Sequence, residues 1–172
     1  MSVLALPIVG RAIEVSSPFP PDKFHLVWQW MNEFPSANFD DYGPQDFRAF
    51  LSEMRIRMKV EKTWAISSRQ DRLCGIVAYL PITSRMGTFH GICFAKGCCT
   101  REEKRDALRL ILKDIFDSGV EKVCASYFAD NFKIDRFLTD LGAVRESYFR
   151  RHTLRNGVPL DMIQVAIFRG EN

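Results

Sequence analysis

The chain has 172 residues, 47% of them hydrophobic and 26% charged, with a net charge of +3. At ~150 residues per domain this predicts one domain over 1–172, and the balance excludes a disordered tail, a collagen or a low-complexity scaffold. So small a net charge does not announce a nucleic-acid binder, and 14 Phe supply a sizeable core.

Met1 to Gly10 is apolar but short, lacks a basic flank and carries Pro7, so it does not read as a signal peptide. No run approaches the ~20 apolar residues of a membrane span. A strand over Arg11 to Val15 is possible on pattern alone. Pro21 suits the first turn of a helix carrying Phe24, Val27, Trp28 and Met31 at helical spacing. Residues 35–43 read as loop, and a second helix from Pro44 carries Phe47, Phe50, Leu51, Met54 and Met58 on one stripe.

Thr63 to Ser68 is a short strand and Arg69 to Asp71 a turn. Leu73 to Ile82 and Gly87 to Ala95 are long apolar runs flanking Thr83-Ser84-Arg85, which predicts two antiparallel strands buried on both faces. Thr100 to Asp117 is a helix: Thr100 and Glu103 form a capping box, Leu108, Ile111, Leu112, Ile115 and Phe116 form its stripe, and Gly119 closes it. Lys122 to Phe128 is a strand and Asn131 to Leu141 a helix ended by Gly142. Two further strands, Ala143 to Thr153 and Leu160 to Phe168, turn around Asn156-Gly157. The unit 87–128 is strand–helix–strand and requires a crossover, so part of the sheet is parallel. The sheet should hold six or seven strands.

Asp106-Ala107-Leu108-Arg109-Leu110-Ile111-Leu112, then Phe116, Asp130-Asn131, Phe137, Leu138, Leu141-Gly142, Arg145-Glu146, Asn156-Gly157 and Asp161 recur at telling offsets. In this pattern the chain resembles the GNAT superfamily of acyl-CoA-dependent N-acyltransferases, nearest to its ribosomal-protein N-terminal acetyltransferase branch. The resemblance implies an α/β fold with a mixed, mostly antiparallel sheet, a splayed parallel strand pair and flanking helices. It also implies acetyl-CoA as co-substrate and an amine acceptor, either a small molecule or a protein N-terminus. The splayed strands would be 87–95 and 122–128. Cys93, Phe94 and Ala95 would hold the pantetheine arm together with Asn131 and Phe137. Thr100, Arg101, Glu102, Glu103, Lys104 and Arg105 would form the pyrophosphate site at a helix N-terminus, where backbone N–H groups collect anions.

The family's phosphate loop reads Q/R-x-x-G-x-G/A. Here Thr100 stands at the first position, and Glu103 and Arg105 replace the two glycines that permit close backbone approach. Glu102 and Glu103 put negative charge there, against the cations Lys96, Arg101, Lys104 and Arg105. A divergent module without cofactor binding, serving as a protein-binding or structural component, is therefore the competing expectation. The family's frequent thiol-protonating Tyr would fall at Leu138 and is absent.

His90, on the first splayed strand, is the candidate general base, histidine being the side-chain type suited to proton transfer near neutral pH. Glu146 and Glu61 are candidates to hold the acceptor or a water, and Tyr127 and Ser126 to serve the thiol side. Each also has a plainer reading as an ordinary strand residue. His90, Cys93, Cys98 and Cys99 are not at tidy zinc spacing, and strict alternation points His90 and Cys93 to opposite faces, so no metal is expected. Five cysteines without a C-x-x-C pair suggest reduced thiols and a cytoplasmic chain. The cluster Arg145, Arg150, Arg151, His152 and Arg155, interleaved with Tyr148 and Phe149, is either a solvated face or a surface for a protein partner; nucleic acid and membrane are not expected.

Overall fold

A computed structural model describes residues 2–5, 13–68 and 72–170. The expected turn at Arg69 to Asp71, most of Met1 to Gly10, and the first two residues of the Arg11 to Val15 strand lie outside these. Eight strands form one sheet in the order β1-β2-β3-β4-β5-β6-β8-β7. They are β1 (Ser2–Ala5), β2 (Ile13–Ser17), β3 (Lys62–Ser68), β4 (Leu73–Pro81), β5 (Met86–Phe94), β6 (Lys122–Phe128), β7 (Val144–Arg155) and β8 (Val158–Phe168). Among the described residues only β5 and β6 are parallel neighbours; every other pair is antiparallel. The count exceeds the expected six or seven because β1, too short and too uniformly apolar to signal itself, pairs with β2.

Between β2 and β3 lie α1 (Phe24–Glu33), the single turn α2 (Pro35–Asn38) and α3 (Phe47–Arg57). α3 starts at Phe47 rather than at Pro44, because the Asp46 carboxylate accepts the Ala49 N–H at 2.8 Å and so caps the helix. α4 (Arg101–Asp117) carries the expected capping box and closes at Gly119 with φ +99°. α5 (Phe132–Thr139) is capped by Asn131.

The sheet is covered on both faces, which is why its central strands are apolar throughout. Trp64 and Ile66 of β3 and Val77 and Tyr79 of β4 pack with Leu108, Ile111 and Ile115 of α4. The alternate residues Ala65 and Ile76 pack with Phe24, Val27 and Trp30 of α1 and Phe50 and Met54 of α3. β4 is buried on both faces as expected, but β5 is not: beyond Phe89 its residues up to Phe94 are exposed or half-buried. β7 is an edge strand exposed along Val144 to His152, interrupted by register shifts at Arg145/Ser147 and Phe149/Thr153. Bulges and arginines of this kind blunt an edge against further pairing.

The turn of the β7–β8 hairpin has φ +53° at Asn156 and +73° at Gly157, the left-handed pair a two-residue hairpin needs. Asp41, in the loop after α2, accepts the Asn156 N–H at 2.7 Å and the Gly157 N–H at 2.8 Å. Its neighbour Asp40 accepts from the Thr153 hydroxyl at 2.5 Å. The stretch 35–43, read as loop, is thus helical over Pro35–Asn38 and tied beyond it to a hairpin more than a hundred residues away. Asp41→Ala should cost about 1 kcal/mol and speed amide hydrogen exchange at Asn156 and Gly157, with the sheet centre unaffected.

Candidate active site

The parallel ladder between β5 and β6 runs only from Met86↔Lys122 to Phe89↔Ala125, although the strands continue to Phe94 and Phe128. Beyond that register the strands part. The cause is written in the neighbouring pair: Tyr79 faces Phe89 while Ala78 faces Gly91, so His90 is an extra residue, a bulge. A bulge bends its strand and re-aims side chains. Here it swings the far half of β5 away from β6 and resets the alternation, so that Phe89 and Ile92 both face the α4 side. His90 and Cys93 consequently share the α1/α3 side, the opposite of what strict alternation predicted: His90 bonds to Arg57 of α3, and Cys93 packs among residues of α1 and α3.

Behind the splay lies a cavity of ≈ 650 Å³. Its walls include His90 to Cys93 of β5, Ala125 to Phe128 of β6, Asn131 and Leu138 around α5, and Glu53, Met54 and Arg57 of α3. Tyr42 and Asp40 from the pinned loop close its rim. Phe94 does not fill it; its ring lies where a Cβ on Gly75 would come within 2.7 Å, and Lys104 sits 5.1 Å over its face.

His90 is held at both nitrogens. Nδ1 lies 2.5 Å from Glu61 Oε1, and Nε2 is 2.9 Å from Arg57 Nη2. Glu61 stands just after α3, with its side chain 1% exposed, whereas that of His90 is 41% exposed. Arg57 in turn pairs with Glu53 at 2.7 Å. Glu53, Arg57 and Glu61 are spaced four apart, so an acid–base–acid run leaves the end of α3 facing His90. That spacing was the available signal for Arg57 and Glu53, which sequence reasoning passed over.

Tyr127 donates its hydroxyl to Asp135, whose carboxylate also receives Arg145 at 2.8 Å. Burial, then the bond to Asp135, pushes the Tyr127 phenol up to about 12. It keeps its proton and is a donor, not a base. The same bond, ahead of Arg145, holds the Asp135 carboxyl below its usual range. Asn131 lines the cavity while its side chain accepts the Ile134 N–H at 3.3 Å.

Other expected site residues are placed elsewhere. Glu146 pairs with Lys122 at 2.6 Å on the sheet surface and is not on the cavity wall. Phe137 packs against the α4-side core and Ala95 against the α1/α3-side core. At the N-terminus of α4, Glu103 accepts the Thr100 N–H at 2.8 Å, and the Thr100 hydroxyl accepts the Glu103 N–H at 3.2 Å. Arg101 is bonded to Asp140, and Arg105 lies 3.6 Å from the same carboxylate. Lys104, another of the cations expected for phosphate, lies over the Phe94 ring at the end of β5.

Burial pushes the Cys93 thiol up to about 12 and raises those of Cys74, Cys98, Cys99 and Cys124, which disfavours a thiolate nucleophile. No group of metal-ligating side chains occurs among the described residues. In the basic hairpin, Arg155 is paired with Asp130 at 2.6 Å and lies over Phe128, and Arg145 is held by Asp135. Arg150 and Arg151 are exposed. No described helix is long and apolar enough to cross a membrane.

No protein-family model matches the chain, and no curated protein sequence does. Solved structures match in fold. The spermidine N-acetyltransferase of Vibrio cholerae, in complex with CoA and spermine, superposes with a TM-score of 0.76 at 17% identity, over 92% of this chain and 96% of that one. A probable acetyltransferase of the GNAT family from Chromobacterium violaceum superposes with a TM-score of 0.74 at 16% identity, over 94% of this chain and 90% of that one. At these identities the likeness is one of fold: the α/β architecture with a splayed strand pair is the acyltransferase architecture that the sequence pattern implied.

Proposed function

We propose that the chain is an acetyl-CoA-dependent N-acetyltransferase that transfers the acetyl group to a primary amine by direct attack. The observation that carries this reading is the bulge at His90, which parts β5 from β6 and opens the cavity at that point with the imidazole on its wall. The fold neighbour described with CoA supports the same reading.

When bound, acetyl-CoA supplies an activated acetyl thioester. Beyond Phe89 the edge that β5 turns towards β6 has no strand partner among the described residues, so Gly91 to Phe94 would hold the pantetheine amides by backbone bonding. The cavity fits such an arm, since it is lined by both strands and walled by the apolar side chains Ile92, Ala125 and Leu138. The N-terminus of α4 and Lys104 would hold the pyrophosphate. His90 Nε2 would take the proton that the acceptor's ammonium must lose before its nitrogen can attack. Tyr127 donates its one hydroxyl proton to Asp135, so it would serve the thiol side only on release of that bond.

The acceptor would enter between α3 and the loop pinned by Asp41, past Glu53 and Arg57. Acidic side chains at this mouth suit a cationic amine, whether a polyamine, as in the Vibrio cholerae neighbour, or a protein N-terminus as in the ribosomal-protein branch.

Calorimetric titration with acetyl-CoA and with free coenzyme A tests the reading. Binding at one site per chain in the micromolar range is the expected result. No binding at millimolar ligand would overturn it and favour the non-catalytic module. The variant Glu102→Gly with Glu103→Gly removes two negative charges from the phosphate end. It should tighten coenzyme A binding by roughly 5–30-fold, equivalent to ~1–2 kcal/mol for charges near a helix N-terminus. Unchanged affinity would show that phosphate does not dock at α4.

A further inference from the structure

We propose that Glu61 is a positioning residue: it fixes His90 in the tautomer that carries its proton on Nδ1 and leaves Nε2 as the proton acceptor facing the cavity. Two independent contacts require this arrangement. Arg57 can only donate hydrogen bonds, and its Nη2 lies 2.9 Å from His90 Nε2, so Nε2 must present its lone pair. The proton of the neutral ring is then on Nδ1, 2.5 Å from Glu61 Oε1, where a carboxylate can only accept.

Glu61 Oε1 is shared between His90 Nδ1 at 2.5 Å and Arg57 Nε at 3.8 Å, and the shorter contact is the one to the imidazole. The Glu61 side chain is 1% exposed, and its second oxygen, Oε2, is buried without a hydrogen-bond partner among the described residues. A carboxylate kept so far from water is costly. Its position is set from both sides: its N–H donates to Arg57 O at 2.8 Å at the end of α3, and Lys62 opens β3 immediately after it. It is absent from the cavity wall, so it acts on a ligand only through wall residues that it touches, His90 at 2.5 Å and Arg57 at 3.8 Å. When His90 takes a proton on Nε2, the ring becomes a cation with Glu61 already aligned on its other nitrogen. The acceptor's N–H group then occupies the direction that Arg57 Nη2 holds in the free chain, and Arg57 retains Glu53 as its partner at 2.7 Å.

The kinetic part of this assignment rests on the acetyltransferase reading; the tautomer does not. Long-range ¹H–¹⁵N correlation spectra of the full chain, free of ligand and with the ring neutral, report which nitrogen of His90 carries the proton. A single Nδ1–H tautomer is expected. An Nε2–H tautomer, or an even mixture, would overturn the proposal, and this measurement needs no variant. Glu61→Gln keeps the size and a possible acceptor but removes the charge. It should lower kcat by about 10–100-fold, the range found when the carboxylate partner of a metal-bound histidine is removed, and leave the Kd for acetyl-CoA unchanged. An unchanged kcat would overturn the proposal. A failure of acetyl-CoA to bind the wild-type chain would instead overturn the acetyltransferase reading, while the tautomer spectrum still decides the role of Glu61.

Discussion

His90→Asn is expected to lower kcat for amine acetylation by about 10²–10⁴-fold, the usual contribution of a positioned general base, with the affinity for acetyl-CoA unchanged. Asparagine matters in this design. Its side-chain amide can stand where Nδ1 stands and continue to donate to Glu61, which is buried behind it. His90→Ala would instead take away that carboxylate's hydrogen bond and leave it only Arg57 Nε, 3.8 Å off, a loss of about 1–3 kcal/mol for a buried acceptor. A loss of activity in the alanine variant would therefore confuse folding with chemistry. Steady-state rates for His90→Asn, with calorimetry on the same preparation, separate the two. Full activity would remove His90 from the reaction and leave a water or a carboxylate at the cavity mouth as base.

Gly87→Ala is expected to be the most damaging single methyl in the fold. A Cβ at Gly87 would lie 2.2 Å from the Tyr79 hydroxyl oxygen and 2.3 Å from its ring carbon Cζ. Tyr79 has no room to withdraw: it is 5% exposed, and its ring packs between Trp64 and Phe89. Overpacking of this kind costs ~1–3 kcal/mol, and the upper end is expected here. At ~2–4 °C per kcal/mol for a chain of this size, the melting temperature should fall by roughly 6–12 °C. Removing the outer ring atoms at the clash offers a check. Tyr79→Leu, which lacks Cε2, Cζ and the hydroxyl, combined with Gly87→Ala should recover part of the loss in a double-mutant cycle, and additive effects would sink the explanation. The position matters for function because Gly87 pairs with Val123 in the short parallel ladder from which the two strands diverge.

Much of this molecule was legible before any coordinate. The capping box of Thr100 and Glu103, the buried stripe of α4 and the Asn156-Gly157 turn are local features, each decided by residues within a turn or two of chain, and each stands where it was read. The burial of β4 on both faces was equally legible, because a strand covered on two sides has no polar alternation to hide. The start of α3 was misplaced by three residues because Pro44 and Asp46 are both plausible openings, and only the bond from Ala49 to Asp46 separates them.

The site was legible in its residue types but not in its geometry. His90, Glu61, Tyr127 and Asn131 were all singled out, yet what joins them depends on a single inserted residue in β5. A bulge carries no signature in the bulged strand alone, since it exists only as a mismatch with the strand beside it. From that mismatch follow the splay, the shared face of His90 and Cys93, and the meeting of His90 with Arg57 and Glu61. The placement of Glu146 against Lys122, and of Arg101 and Arg105 against Asp140, depends likewise on side chains far apart in sequence. Most of the elements, their order and the acyltransferase-like pattern could be read from the sequence, though not β1 or α2, because caps, turns and apolar periodicity act over a few residues. The tertiary structure alone decided which charges neutralise one another and which face an open cavity, because Coulomb interactions and strand register depend on distances that only the folded chain defines.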